Sequence, residues 1–450
     1  MHIYKSLKRR IKLLLLGGAG FALAGIHLNA QSAAVDPGVR PGPPAAGGPI
    51  QGLTSDQNDL FTFVTGEFTQ LHSVTGNIEG EDGNGLGPGF NGNGCGSCHK
   101  FPAIGGTSPA INPQFEMAAL DGAQNSMPPF LSIDGPIREA RFVRNPDGSP
   151  DGTVHNLFTI QGRTDAPGCN LSQPDFAHEM ANVNVVFRIP TPVFGAGLID
   201  NISDETILAN KNASSMLRRY LNIGGHENRN PNDGTITKFG WKAQDKSLLM
   251  FSGEAYNVEM GVTNELFATE RNMVPGCNFN TQPEDHLDFD DDSPNGGETS
   301  GTQNFTTFMR LLAPPTPAPD TPSIVRGRDA FASIGCALCH TPSLMTSDSD
   351  LPGLANQQAN LYSDLLVHHM GVGLADGITQ GNAGPDEFRT APLWGLGQRI
   401  FFLHDGRTKD LIEAIQAHKS DGSEANLVIQ NFNQLQPWIQ QDILNFLRSL

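Results

Sequence analysis

Two pentapeptides constrain this chain more than anything else in it: Cys95-Gly-Ser-Cys-His99 and Cys336-Ala-Leu-Cys-His340. Thiols at this spacing can add to the vinyl groups of one porphyrin, while the adjacent imidazole binds its iron from below. Structural zinc sites use Cys pairs acting together, with His at a longer spacing. Here each Cys pair has its own neighbouring His, and the copies lie far apart. The expectation is two covalently bound haem c groups, attached at Cys95 and Cys98 and at Cys336 and Cys339, with His99 and His340 as iron ligands. Such domains wrap a few helices and long loops around a cofactor that fills much of the interior. The 51 Gly and 32 Pro supply those loops, and 450 residues allow two or three domains.

Covalent haem attachment calls for export, and the first residues supply it. Lys5, Lys8, Arg9, Arg10 and Lys12 precede an apolar run at 13–28 that is broken by Gly17, Gly18, Gly20 and Gly25. This predicts a signal peptide over 1–30 rather than a membrane anchor, hence a periplasmic or secreted protein with no stable membrane insertion after processing. Removing the leader leaves 24 of the 29 Lys and Arg against 47 Asp and Glu, a balance of about −23. That surface repels nucleic acid and acidic carriers but admits a basic electron-donor protein or a small neutral oxidant. The two remaining cysteines share one setting, Pro167-Gly-Cys169-Asn and Pro275-Gly-Cys277-Asn, and in an oxidising compartment a Cys169–Cys277 disulfide is expected.

In chain order, 31–54 lacks apolar periodicity and reads as a flexible tether. A helix follows from near Ser55, with Leu60, Phe61, Phe63, Val64, Phe68 and Leu71 at helical spacing. Strands are expected at 141–143 and 154–160, a buried extended segment at 185–198, and a helix over 247–257. His72, His155 and His178 are imidazoles that can reach the first iron, each better explained structurally. The acidic run 284–292 lacks the alternation and central Gly of a calcium loop and reads as a solvated surface. Pro-rich 314–322 is the clearest linker, dividing an N-terminal haem domain (55–313) from a cytochrome c-like domain (323–450). The latter opens with a helix over 323–334 and closes with one over 438–450. The fold class expected is mainly α: two cytochrome c-like haem domains with long irregular loops and a few short strands.

The block Phe388-Arg-Thr-Ala-Pro-Leu-Trp-Gly-Leu-Gly397, with Phe402-Leu-His-Asp-Gly-Arg407 and His418, resembles the bacterial di-haem cytochrome c peroxidases. Trp241 followed by Asn257-Val-Glu-Met260 resembles their inter-haem Trp and distal Glu segments. More closely, RIPTPVFGAGL, FGWKA, EMGVTN, FMRLLAPP and PLWGLG, in this order over about 55–450, resemble the branch called di-haem oxidoreductases, sometimes labelled thiol oxidoreductases. The resemblance implies proximal ligands at His99 and His340, an electron bridge at Trp241, and a carboxylate at Glu259 that moves a proton between peroxide oxygens. The family's far-side ligand on the second haem is usually Met; the matching position here is His418, with Met370 or His368 as alternatives. Two imidazoles favour the ferric state more than His/Met does, as expected of a lower-potential haem. The peroxidases' inter-domain calcium uses an Asn where this chain has Ile189, so calcium is doubtful. Their dissociable distal His precedes the position of Arg188, and His178 matches it only out of register, which leaves the first iron open.

The function expected is that of a peroxidase-like oxidoreductase, reducing hydrogen peroxide at the first haem with electrons passed through the second. The alternatives are a non-enzymatic electron-transfer cytochrome, and oxidation of a partner protein or organic molecule by a stored high-valent haem pair. The label thiol oxidoreductase finds little support, since both Cys-x-x-Cys pairs are spent on haem.

Overall fold

The computed structural model describes residues 33–288 and 299–450. The expected leader and part of the acidic run lie outside the described residues. Among those residues are thirteen α-helices and nine strands, none of the strands longer than four residues. The fold is thus mixed rather than simply helical, with much of the chain in irregular loops. No helix among the described residues is long and apolar enough to cross a membrane.

The helix Ser55–Thr69 starts at a capping box, in which Thr54 accepts from Gln57 and the Gln57 side chain bonds back to Thr54. Its buried positions Phe61, Val64 and Phe68 form one stripe, as the spacing predicts. They meet the helix Gly301–Leu311, where Phe308 stacks on Phe68 at 4.3 Å and on Phe61 at 5.9 Å between ring centroids. Burying each such ring contributes about 1.5–3 kcal/mol. Phe68 also sets its edge against His99 at 6.1 Å, so this helix pair supports the first Cys-x-x-Cys-His turn directly.

Three short strands matter to the site. Glu139–Phe142 pairs antiparallel with Val154–His155 on one side and Val185–Arg188 on the other, in a register that sets Glu139 opposite Arg188 and Arg141 opposite Val186. Strand alternation turns Glu139 and Arg141 to the same face. The helix expected over 247–257 runs further, as Leu248–Met260, and stops where Gly261 takes φ 73°. Its last turn is clamped from below, because the N–H groups of Asn91 and Gly92 donate to the Glu259 carbonyl at 2.6 and 3.2 Å.

In the C-terminal part the helix Pro322–Ser333 crosses the closing helix Pro437–Leu447. Gly327 is required at the crossing, since a Cβ there would collide with the Asp442 carbonyl. Ile324, Phe331, Ile443, Leu444, Phe446 and Leu447 build the core between them.

Segment 33–54 corrects one expectation. It is not a free tether: Arg448 pairs with Asp36 at 2.7 Å, Arg40 N–H donates to the Gly397 carbonyl, and Ile50 N–H to the Leu311 carbonyl. Its fixing relies on backbone groups, one ion pair and scattered apolar contacts, Ile50 being buried in the core, which leave no apolar period to read. The stretch 314–322 is extended and likewise held, Thr316 by Ala45 and Ala318 by Ser449. The core also crosses it, with Leu344, Leu361, Leu366 and Trp394 packing into the same cluster as Phe90 and Phe158.

Cys169 and Cys277 are joined by a disulfide spanning 108 residues of sequence. On chain-entropy grounds a loop of this length contributes about 4–5 kcal/mol. Replacing both cysteines by Ala is expected to lower the denaturant midpoint accordingly, checked by urea unfolding against the native protein; an unchanged midpoint would show that the bridge constrains nothing.

Candidate active site

The first pentapeptide forms a single helical turn, Cys95–Cys98, entered from Gly94 and terminated by His99. The turn lines a cavity whose walls also include Glu139, Arg141, Trp241 and Glu259. His99 commits Nδ1 to the Gly106 carbonyl at 3.1 Å, which leaves Nε2 to carry the lone pair. Burial pulls the imidazole down to about 4, so it is neutral near neutral pH, the form that binds a metal. The two cysteines are not joined to each other, and burial pushes the Cys95 thiol up to about 12.

The second pentapeptide repeats this design. Gly335, at φ 108°, turns the chain into Cys336–Leu338, and His340 commits Nδ1 to the Tyr362 carbonyl at 3.1 Å. Burial again brings its titration to about 4, helped by nearby His418. His418 caps the helix Leu411–Ala417 and commits its own Nδ1 to the Ala414 carbonyl at 2.8 Å. Three buried imidazoles, each with Nδ1 on a backbone carbonyl, have the support that metal-ligating histidines use. With free thiols beside two of them, the donor sets fit iron porphyrin at both places.

His368 is overturned as a sixth ligand. Its two ring nitrogens face carboxylates, Nε2 on Asp364 at 3.0 Å and Nδ1 on Glu424 at 2.7 Å, with the Cys339 sulfur 3.7 Å away. Burial works against its charge, but Cys339 and Asp364 outweigh it and its titration lies well above the usual range. Met370 is half-buried at the end of the same strand, its N–H on the Asp386 carbonyl. His178 is exposed and bonded to Asn182; His155 stacks on Phe142 and holds Asp151 at 2.8 Å; His72 is buried on the Asn84 carbonyl. None of these three lines the cavity. Ile189 is buried, and its carbonyl accepts from Trp241 Nε1 at 2.9 Å.

Glu259 comes to the cavity with a partner that sequence reasoning missed. Its carboxyl hydrogen-bonds that of Glu139, which Arg141 grips at 2.6 Å. Burial and the Glu139 charge push Glu259 well above the carboxylate range. For Glu139, burial pulls upward, but Arg141, Arg188 and the hydrogen bond from Glu259 win and hold it below that range. The two carboxyls are thus pushed in opposite directions, the proton of the pair favouring Glu259 over Glu139. A signal existed in Glu139-Ala-Arg141, two charges on one face of a strand; their meeting with a helix far along the chain had none.

Trp241 also lines the cavity and sets its ring edge-on to His404 at 6.3 Å, which in turn stacks on Phe388 at 4.2 Å, so rings of the C-terminal part reach a residue of the cavity wall.

A family described as "Di-haem oxidoreductase, putative peroxidase" matches residues 139–450. This chain belongs to the di-haem oxidoreductase family. Haem is accordingly a cofactor of this chain, and oxidoreduction its chemistry. Among solved structures the di-haem oxidoreductase is similar to hydrazine synthase of Kuenenia stuttgartiensis, at 12% identity and TM-score 0.36 over 98% of this chain and 100% of that one. A MauG-like protein associated with microbial copper homeostasis is similar at 16% identity and TM-score 0.28, over 58% and 89%. Likeness at these scores carries no argument about the site. No curated protein matches.

Proposed function

We propose that this di-haem oxidoreductase is an exported c-type enzyme that reduces hydrogen peroxide at the His99 centre, with electrons from a donor protein delivered through the His340/His418 centre. The observation that supports this most is the Glu139–Glu259 pair, whose proton favours Glu259, in the wall of the cavity that contains Cys95, Cys98 and His99. Haem bound through these residues supplies an iron for the oxidant and the electrons to reduce it. Cutting the O–O bond requires that one oxygen lose a proton and that the other leave as water. Glu259 carries the proton, Glu139 fixes which carboxyl carries it, and Arg141 anchors Glu139. Trp241 offers an aromatic path from the C-terminal part. In this reading Cys95 and Cys98 on one side, and Cys336 and Cys339 on the other, hold the porphyrins through thioethers.

His418 in place of the more usual Met favours a second reading, oxidation of a partner protein or organic molecule. One experiment separates both from simple electron transfer. Reduced protein mixed with peroxide in a stopped-flow spectrometer is expected to reoxidise rapidly, and the oxidised protein to show one high-spin and one low-spin signal by electron paramagnetic resonance. Two low-spin signals and no response to peroxide would leave only electron transfer.

A further inference from the structure

Beside the first cavity lies a smaller one, sharing with it Thr191, Gly240, Trp241 and Phe251. Arg389 and Arg399 are among its walls. They are only 8% and 7% exposed, and among the described residues neither forms an ion pair with a carboxylate. Arg389 donates from Nε to the Gly240 carbonyl at 2.9 Å, yet its Nη1 is buried with no partner. Burial alone brings both guanidinium groups down to about 10, so both stay charged near neutral pH. Two unneutralised charges away from water cost several kcal/mol each by the general desolvation argument, and a fork of N–H groups is shaped for a carboxylate.

We propose that Arg389 and Arg399 form a binding site for a carboxylate, filled in the working protein by a propionate of the porphyrin held at His99. The propionate assignment rests on the haem reading above; the carboxylate site itself does not. The other source of the same chemistry is a free small carboxylate. A propionate is favoured because it arrives tethered to a group bound in the adjoining cavity, at a high effective concentration. Two guanidinium groups against one propionate leave net positive charge beside the porphyrin, which disfavours the ferric state.

The test uses the full holoprotein and its Arg389→Gln and Arg399→Gln variants, with haem counted by pyridine haemochrome absorbance. Spectroelectrochemical titration is expected to show one haem potential shifted downward in each variant, the other haem unmoved. Arg399→Lys keeps the charge but not the fork and is the safer variant for folding; a smaller shift of the same sign is expected. In a second arm, formate is titrated into native protein and variants, read by thermal midpoint. Shifted potentials with no formate effect assign the site to a propionate. Saturable stabilisation by formate, lost in the variants, assigns it to a free carboxylate and overturns the propionate. Unmoved potentials together with no formate effect overturn the site altogether. Native protein devoid of haem would sink the haem reading and the propionate assignment, while the formate arm still decides whether the arginines bind a carboxylate.

Discussion

Glu259→Gln is expected to slow peroxide turnover by roughly 10²–10⁴-fold, the usual contribution of a positioned proton carrier, with haem content unchanged. Gln preserves shape and hydrogen bonding but cannot give up or regain the proton. The pH dependence separates this from a packing defect. Glu259 titrates above the usual range through burial and the Glu139 charge, so it loses its proton only as pH rises through that raised value. Native turnover should fall along that limb if Glu259 acts as the acid, and the Glu259→Gln variant should lose the limb. Glu139→Gln removes the neighbouring charge and is expected to move the limb to lower pH. Stopped-flow rates across pH measure both. A Glu259→Gln protein reacting at the native rate would remove Glu259 from the chemistry.

Cys336→Ser combined with Cys339→Ser is expected to remove one of two porphyrin adducts from the mass of the denatured chain and to halve haemochrome absorbance. The structural consequence is also large. Leu221, Ile223, Leu338 and Val428 pack against these two cysteines, and His340 and His418 are buried nearby. A porphyrin missing from this place leaves imidazoles without a metal and apolar side chains without a partner, and both destabilise a fold. Thermal unfolding is expected to become less cooperative, with the C-terminal part melting first by hydrogen exchange. An unchanged adduct count in the variant chain would exclude thioether attachment at this pentapeptide.

The two predictions differ in how far the chain itself announced them. The cysteines, His99 and His340 are contiguous, and their chemistry depends on spacing along five residues, so the sequence exposes it directly. The helices flanking them were legible for the same reason: Phe61, Val64 and Phe68 repeat at helical spacing and are buried, and the helix expected from 323 before Cys336 begins one residue earlier, at Pro322 behind a Thr321 cap. Boundaries were less secure. The helix carrying Glu259 continues one turn past the expected end because nothing before Gly261 breaks it.

The sequence by itself determined the pentapeptides, the paired settings of Cys169 and Cys277, the apolar stripes of the main helices and the family resemblance, all carried by local spacing or contiguous words. Only the tertiary structure decided that Glu139 and Glu259 meet and push each other's titration in opposite directions, that His368 is locked between Asp364 and Glu424, that 33–54 is pinned, and that Arg389 and Arg399 share a wall without a counter-charge. The reason is physical. A charge is defined by what surrounds it, and in a loop-rich chain those surroundings are assembled from segments far apart in sequence, through backbone contacts that leave no periodic trace.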